Sequence, residues 1–135
     1  MSTEPVSRAA LWSARVLSSI AALFLVFDSA IHILRPQPVV QAFAHAGFPL
    51  GTAVGIGVTE LIWTALYVFP RTALLGAILL TGHLGGAVAS HVRVGHSVFE
   101  TYIFPVIVGA LIWGGLWLRD PVLQSLLPVR SARWG

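Results

Sequence analysis

The sequence contains no cysteine and no lysine. The first absence excludes disulfides, thiolate metal sites and thiol–disulfide relay chemistry within the chain. The second leaves eight arginines as the only permanent cations, spread singly rather than clustered. No basic patch interleaved with aromatic residues is present, so a nucleic-acid partner is not expected in spite of a pI near 10.7. Charge of either sign is scarce. Only 10% of the 135 residues are Asp, Glu, Lys or Arg, against roughly 25% in a water-soluble domain. A chain of this composition cannot build a water-facing shell, and a lipid bilayer must meet most of its surface. Several signatures are also missing: no GxSxG elbow, no P-loop, and no GxGxxG after a strand.

What the sequence does contain is long apolar runs. Four approach the ~20 residues that a helix needs to cross a bilayer, at about 16–34, 51–69, 72–90 and 102–118. Their boundaries carry proline or charge, as at Arg35-Pro36, Pro70-Arg71 and Arg119-Asp120-Pro121, because proline cannot continue a helix and arginine prefers the interface. The first run lacks a small-residue cleavage site and is interrupted by Asp28 and His32, so it is not read as a secretory signal. Residues 1–135 are expected to form a single all-α domain, a polytopic membrane bundle of four helices. Runs two and three form a tight hairpin, while 35–50 and 91–101 are longer linkers. Arg8, Arg15, Arg71, Arg119, Arg130 and Arg133 fall on one side, with Arg35 and Arg93 on the other. That asymmetry puts both termini in the cytoplasm and the chain in the inner (plasma) membrane as a multi-pass protein. Gly82 and Gly86, four apart, are expected to bring helices into close contact within the bundle, with a seam between two copies of the chain as the alternative.

Ionisable residues inside the runs are the candidate chemistry. A carboxylate at mid-bilayer costs about 2.5–3.5 kcal/mol on insertion scales and normally faces a cavity or a partner. At ~1.5 Å per residue, Glu60 lies roughly 13 Å from the outer end of its run, His83 roughly 12 Å and Asp28 roughly 9 Å, with His32 one turn above Asp28. Three separate helices thus carry polar groups into one layer. Gly57, Glu60, Thr64 and Tyr67 share one helix face, and Gly76, His83, Ala87 and Ser90 share another, with His91 about 80° round. Asp28, Glu60 and His83 are the candidate catalytic residues. His32, Thr64, Tyr67, Ser90, His91 and Arg93 are the candidate ligand contacts. Pairs such as Asp28–His32 and Glu60–His83 that only fix helix packing are the alternative. A metal site is not expected, since no HxxxH or HExxH spacing occurs within one helix. His45 and His96 are read as solvated loop residues.

The segment Leu79-Leu80-Thr81-Gly82-His83-Leu84-Gly85-Gly86-Ala87-Val88-Ala89-Ser90-His91-Val92-Arg93-Val94-Gly95 resembles the signature of the DoxX-like family of bacterial membrane proteins. The similarity extends to Phe27-Asp28, to Leu66-Tyr67-Val68-Phe69-Pro70-Arg71-Thr72-Ala73-Leu74-Leu75-Gly76-Ala77, to Phe104-Pro105, and from Trp113-Gly114-Gly115 to Asp120-Pro121, ending near Leu127-Pro128. The resemblance implies a four-helix integral membrane protein. Relatives include a subunit of a thiosulfate:quinone oxidoreductase, a component of a membrane redox-defence complex, and assembly chaperones. The family's usual tyrosine stands as His83 here, its usual lysine as His32, and an apolar residue as Glu60. These departures enrich the chain in groups that can move a proton near neutral pH.

Together these readings point to binding of a small lipophilic molecule in the outer half of the bundle. If the chain is an enzyme, the expected chemistry is acid–base: isomerisation, cyclisation or ring opening, with no cofactor required. Glu60 or Asp28 would act as acid or base and His83 as shuttle. Quinone and haem remain open as ligands. The competing reading is a non-catalytic or quinone-linked subunit of a membrane complex, or an assembly factor, in which a homo-oligomer or a partner protein is engaged.

Overall fold

The computed structural model describes residues 5–127; Arg130, Arg133 and Pro128 lie outside them. Among the described residues there are helices and no strands. Helix α1 spans Arg8–Leu34, α2 Gln37–Ala46, α3 Gly51–Val68 and α4 Ala73–Val94. A π-helical turn at Phe99–Ile103 runs directly into α5, Phe104–Arg119, and α6 covers Pro121–Leu126. Four segments are long and apolar enough to cross a membrane: Arg8–Leu34, Gly51–Val68, Ala73–Val94 and Phe99–Arg119.

The elements follow from local chemistry. Ser7 caps α1 by accepting from the Ala10 N–H at 3.2 Å, satisfying a donor that the first turn leaves free. The helix then runs past Arg8 and Arg15, eight residues before the apolar run begins, because arginine ends hydropathy without disfavouring helix. It stops at Arg35, which adopts a left-handed conformation (φ 53) ahead of Pro36. In α4 the polar His91 and Arg93 end the apolar run near Ser90, but the helix persists to Val94 and closes at Gly95. The π-helical turn has a specific cause. Pro105 has no N–H to return to Thr101, so the ladder in front of it is remade with the Phe104 N–H donating to the Phe99 carbonyl.

The linker expected at 35–50 contains α2. This helix is too short to span and too mixed to register as an apolar run. It buries Val39 and Phe43, four residues apart, against Ala53 and Phe48.

The four long helices form a closed ring in which α1 packs on α3 and α5, and α4 on α3 and, least closely, α5. The bundle turns large apolar side chains outward. Leu23, Phe27, Leu75, Ile78, Ile107 and Val106 are exposed, while Ala21, Leu25, Ala77, Leu80, Val108 and Ile112 form the core. This suits a hydrocarbon solvent, which supplies no hydrophobic drive and rewards close packing of small groups instead.

The close approaches occur at glycines other than Gly82 and Gly86. A Cβ on Gly57 would lie 2.7 Å from the Ser29 carbonyl oxygen and 2.9 Å from His32 Cβ, so α3 sits directly on α1 there. A Cβ on Gly76 would strike the backbone of Leu66 and Tyr67, which is what lets the α3–α4 hairpin close. Gly82 and Gly86, by contrast, have open space where a Cβ would be. The expectation of helix contact at those two positions is corrected: they border a void.

Candidate functional site

The void is a cavity of about 840 Å³ enclosed by α1, α3, α4 and the start of α5, with α2 lying across one side. It lies where α4 and α5, the least closely packed neighbours in the ring, border it, and Gly82, Gly86 and Ala87 present almost no side chain on the α4 wall. Phe24, Val39, Phe43, Ile56, Leu84 and Phe104 supply apolar walls. Phe24 and Phe104 meet edge to face at 5.1 Å between centroids, closing the α1–α5 side.

Asp28, His32, Glu60 and His83 converge on this cavity from three helices. The junction at Gly57 explains how. By letting α3 touch α1, it brings Glu60, one turn further on, against Ser29 of α1. The Ser29 hydroxyl donates to the Leu25 carbonyl at 2.7 Å and to Glu60 Oε2 at 3.2 Å. Glu60 is 2% exposed, and its other oxygen, Oε1, faces His83 Nε2 at 3.8 Å. On α1, His32 Nδ1 lies 3.2 Å from Asp28 Oδ2 and 2.8 Å from the Asp28 carbonyl oxygen, an i,i+4 arrangement that seats the ring one turn above the carboxylate. One ligand atom each from Asp28, His32 and Glu60 lie within 4.8 Å of one another. The pairs Asp28–His32 and Glu60–His83 therefore exist, and both face open volume rather than a sealed core.

Ser90 and His91 also line the cavity, nearer its mouth. Thr64 and Tyr67 do not. They lie on the same α3 face as Glu60 but deeper, where Leu25, Leu80 and Ile112 fill the bundle. Thr64 donates to the Glu60 carbonyl at 2.8 Å. Tyr67 donates to the Ile112 carbonyl at 2.8 Å and contacts the Ser18 hydroxyl at 2.9 Å, with the Arg119 guanidinium 5.5 Å above its ring. Arg93 stands outside the cavity lining, with its guanidinium 5.6 Å from the Phe48 ring. Thr64 and Tyr67 thus sit in the bundle packing, and Arg93 lies against Phe48 rather than in the lining.

Other residues enter that the sequence reading did not single out for the site. Ser29 fixes Glu60, and Phe43 of α2 packs edge to face on His32 at 6.0 Å between centroids. His45 and His96 are not independent loop residues. His96 hydrogen-bonds His91 through their Nδ1 atoms, and its ring stacks parallel to His45 at 6.3 Å. Glu100, on the π-helical turn, completes this side of the lining. The apolar i,i+4 pair Val39–Phe43 is the signal that could have placed α2 over the site.

The model of the DoxX-like family matches residues 16–115, which is 100 of the 135 residues and takes in all the cavity-lining positions of α1 to α5. Among curated proteins and among solved structures, nothing matches.

Proposed function

The chain belongs to the DoxX-like family, and on that premise we propose that this multi-pass membrane protein binds a small lipophilic molecule in the cavity beneath α2. The molecule's polar end rests on Asp28, Glu60 and His83. One observation carries the reading: Asp28, His32, Glu60 and His83 from three helices meet in a void whose remaining walls are mostly phenylalanine and aliphatic groups, with Ser90, His91, His96 and Glu100 on the far side. Ionisable groups at membrane depth are expensive and mark a ligand or ion path when they face a cavity. At about 840 Å³ the cavity falls within the roughly 300–1,000 Å³ typical of small-molecule sites. An apolar wall with a few convergent polar groups suits a molecule that is mostly hydrocarbon with one oxygen-bearing end.

Where the bound molecule is turned over, the chemistry is acid–base. Glu60 or Asp28 gives or takes a proton at the polar end, and His83, 3.8 Å from Glu60, orients or relays it. Isomerisation, cyclisation and ring opening are the reaction types that need no more than this. Both chain ends lie in the cytoplasm and the cavity opens on the opposite side of the plasma membrane. Arg8, Arg15, Arg71 and Arg119 at one end of the bundle, against Arg35 and Arg93 at the other, support that orientation.

The test is a thermal-shift and retention assay on detergent-purified protein, with co-purifying molecules identified by mass spectrometry. Glu60→Gln and His83→Phe should melt close to the parent and lose the retained molecule. Variants that unfold with no separate loss of binding would instead assign these residues to packing, and a parent that retains nothing would remove the reading.

A further inference from the structure

Beyond a lipophile, and independently of whether one binds, the geometry points to a divalent transition-metal site made by Asp28, His32 and Glu60 at the floor of the cavity. The donor set is one imidazole from α1, one carboxylate from the same face a turn below, and one carboxylate from α3, with ligand atoms within 4.8 Å of one another. A tetrahedral ion with bonds of about 2.0–2.2 Å holds its ligand atoms about 3.3–3.6 Å apart. His32 Nδ1 donates to the Asp28 carbonyl oxygen at 2.8 Å, which leaves Nε2 as the ring nitrogen with a lone pair for an ion. Bringing Glu60 into the same shell needs only carboxylate and rotamer adjustment on the open side.

Three further features fit an ion. Ser29 donates to Glu60 Oε2 and so fixes the carboxylate's orientation, as partners behind metal ligands usually do. The three donors leave at least one coordination position facing the cavity, the arrangement of an open rather than a closed metal site. Two carboxylates from different helices also stand close together at membrane depth, and among the described residues the basic side chains paired with them are His32 and His83. A dication bound there offsets both carboxylate charges. The imidazole donor suits ions of the zinc, cobalt or iron(II) kind, whereas calcium and magnesium favour all-oxygen shells. The site is invisible to motif searches because its ligands cross between helices at a spacing no single-helix pattern describes.

The test loads detergent-purified full-length protein with Zn²⁺ or Co²⁺, desalts it, and counts metal per chain by elemental analysis. About one equivalent is expected in the parent, with visible Co²⁺ absorption bands, and a loss of at least about tenfold in retention for Glu60→Gln and for His32→Gln. His96→Ala, which removes the histidine contact at the cavity mouth, should keep full loading. A parent that holds no metal above background overturns the site, and so does unchanged retention in both variants or a loss confined to His96→Ala. Should the variants fail to fold, X-ray absorption on the zinc-loaded parent decides: an oxygen-rich shell with one imidazole supports the assignment, and a shell of several imidazoles overturns it. Lipophile retention measured after chelation separates the two readings, because the molecule can stay bound when the ion is absent.

Discussion

Replacing Gly57 with alanine probes both the fold and the site through one contact. The added Cβ would stand 2.7 Å from the Ser29 carbonyl oxygen and 2.9 Å from His32 Cβ and Ile33 Cγ1. Neither backbone nor Cβ can rotate away. Restoring an ordinary 3.4 Å contact requires α3 to retreat from α1 by about 0.7 Å. Overpacking of this kind costs about 1–3 kcal/mol. Glu60 lies one turn along, so the same retreat would stretch its 3.2 Å hydrogen bond from Ser29 to about 3.9 Å, beyond hydrogen-bonding range. Gly57→Ala should therefore lower the melting temperature and weaken binding together. Gly82→Ala, which meets open space, is the control and should leave stability within about 0.5 kcal/mol. Melting in detergent, followed by tryptophan fluorescence or by protease sensitivity, reads the difference. Equal behaviour of the two variants would refute the claim that the α1–α3 contact at Gly57 positions Glu60.

Three further outcomes follow from the placements. Asp28→Asn, compared with Glu60→Gln in a retention assay, should impair ligand binding with melting nearly preserved, since the asparagine oxygen keeps the shape of the side chain and can still accept from His32; loss of folding alone would count against a binding role. Tyr67→Phe removes the hydroxyl between Ser18 and the Ile112 carbonyl and should cost about 1–3 kcal/mol by leaving buried partners unsatisfied, without changing ligand retention, and a retention defect at unchanged melting would put Tyr67 back in the site. A tag inserted near His45 should be reached by a membrane-impermeant reagent from outside the cell, and reporters at residue 135 should read cytoplasmic; the reverse pattern would invert the proposed orientation.

The bundle was legible because its information is carried by hydropathy. Four runs of the right length between prolines and arginines suffice to count the spans. The helix termini were less so, since arginine at 8 and 15 or histidine at 91 ends an apolar run without ending a helix. Helix α2 escaped because ten residues of mixed composition with a single buried pair give little periodic signal, and the π-helical turn because it depends on a missing donor at Pro105 rather than on any residue preference. For the site, helical rise and period gave the layer of Asp28, Glu60 and His83 and the inward face of α3. They could not say where along that face open space ends. Glu60, Thr64 and Tyr67 are all buried on it, yet Leu25, Leu80 and Ile112 plug the bundle below Glu60 and leave the other two in the core. Small-residue spacing has the same ambiguity. Gly57 and Gly82 both mark a bare helix surface, and only the neighbouring helix decides whether that surface is a contact or a wall.

Gly86 offers the most direct test of the central claim, that the cavity holds a small lipophilic molecule. It lines the cavity with nothing within 4 Å of a Cβ placed there, so Gly86→Leu should project four carbons into the void without displacing a helix. Native mass spectrometry of the parent and this variant, released from the same detergent, should show a small-molecule adduct on the parent alone, at closely similar melting temperatures. An adduct carried equally by both proteins, or by neither, would contradict the account.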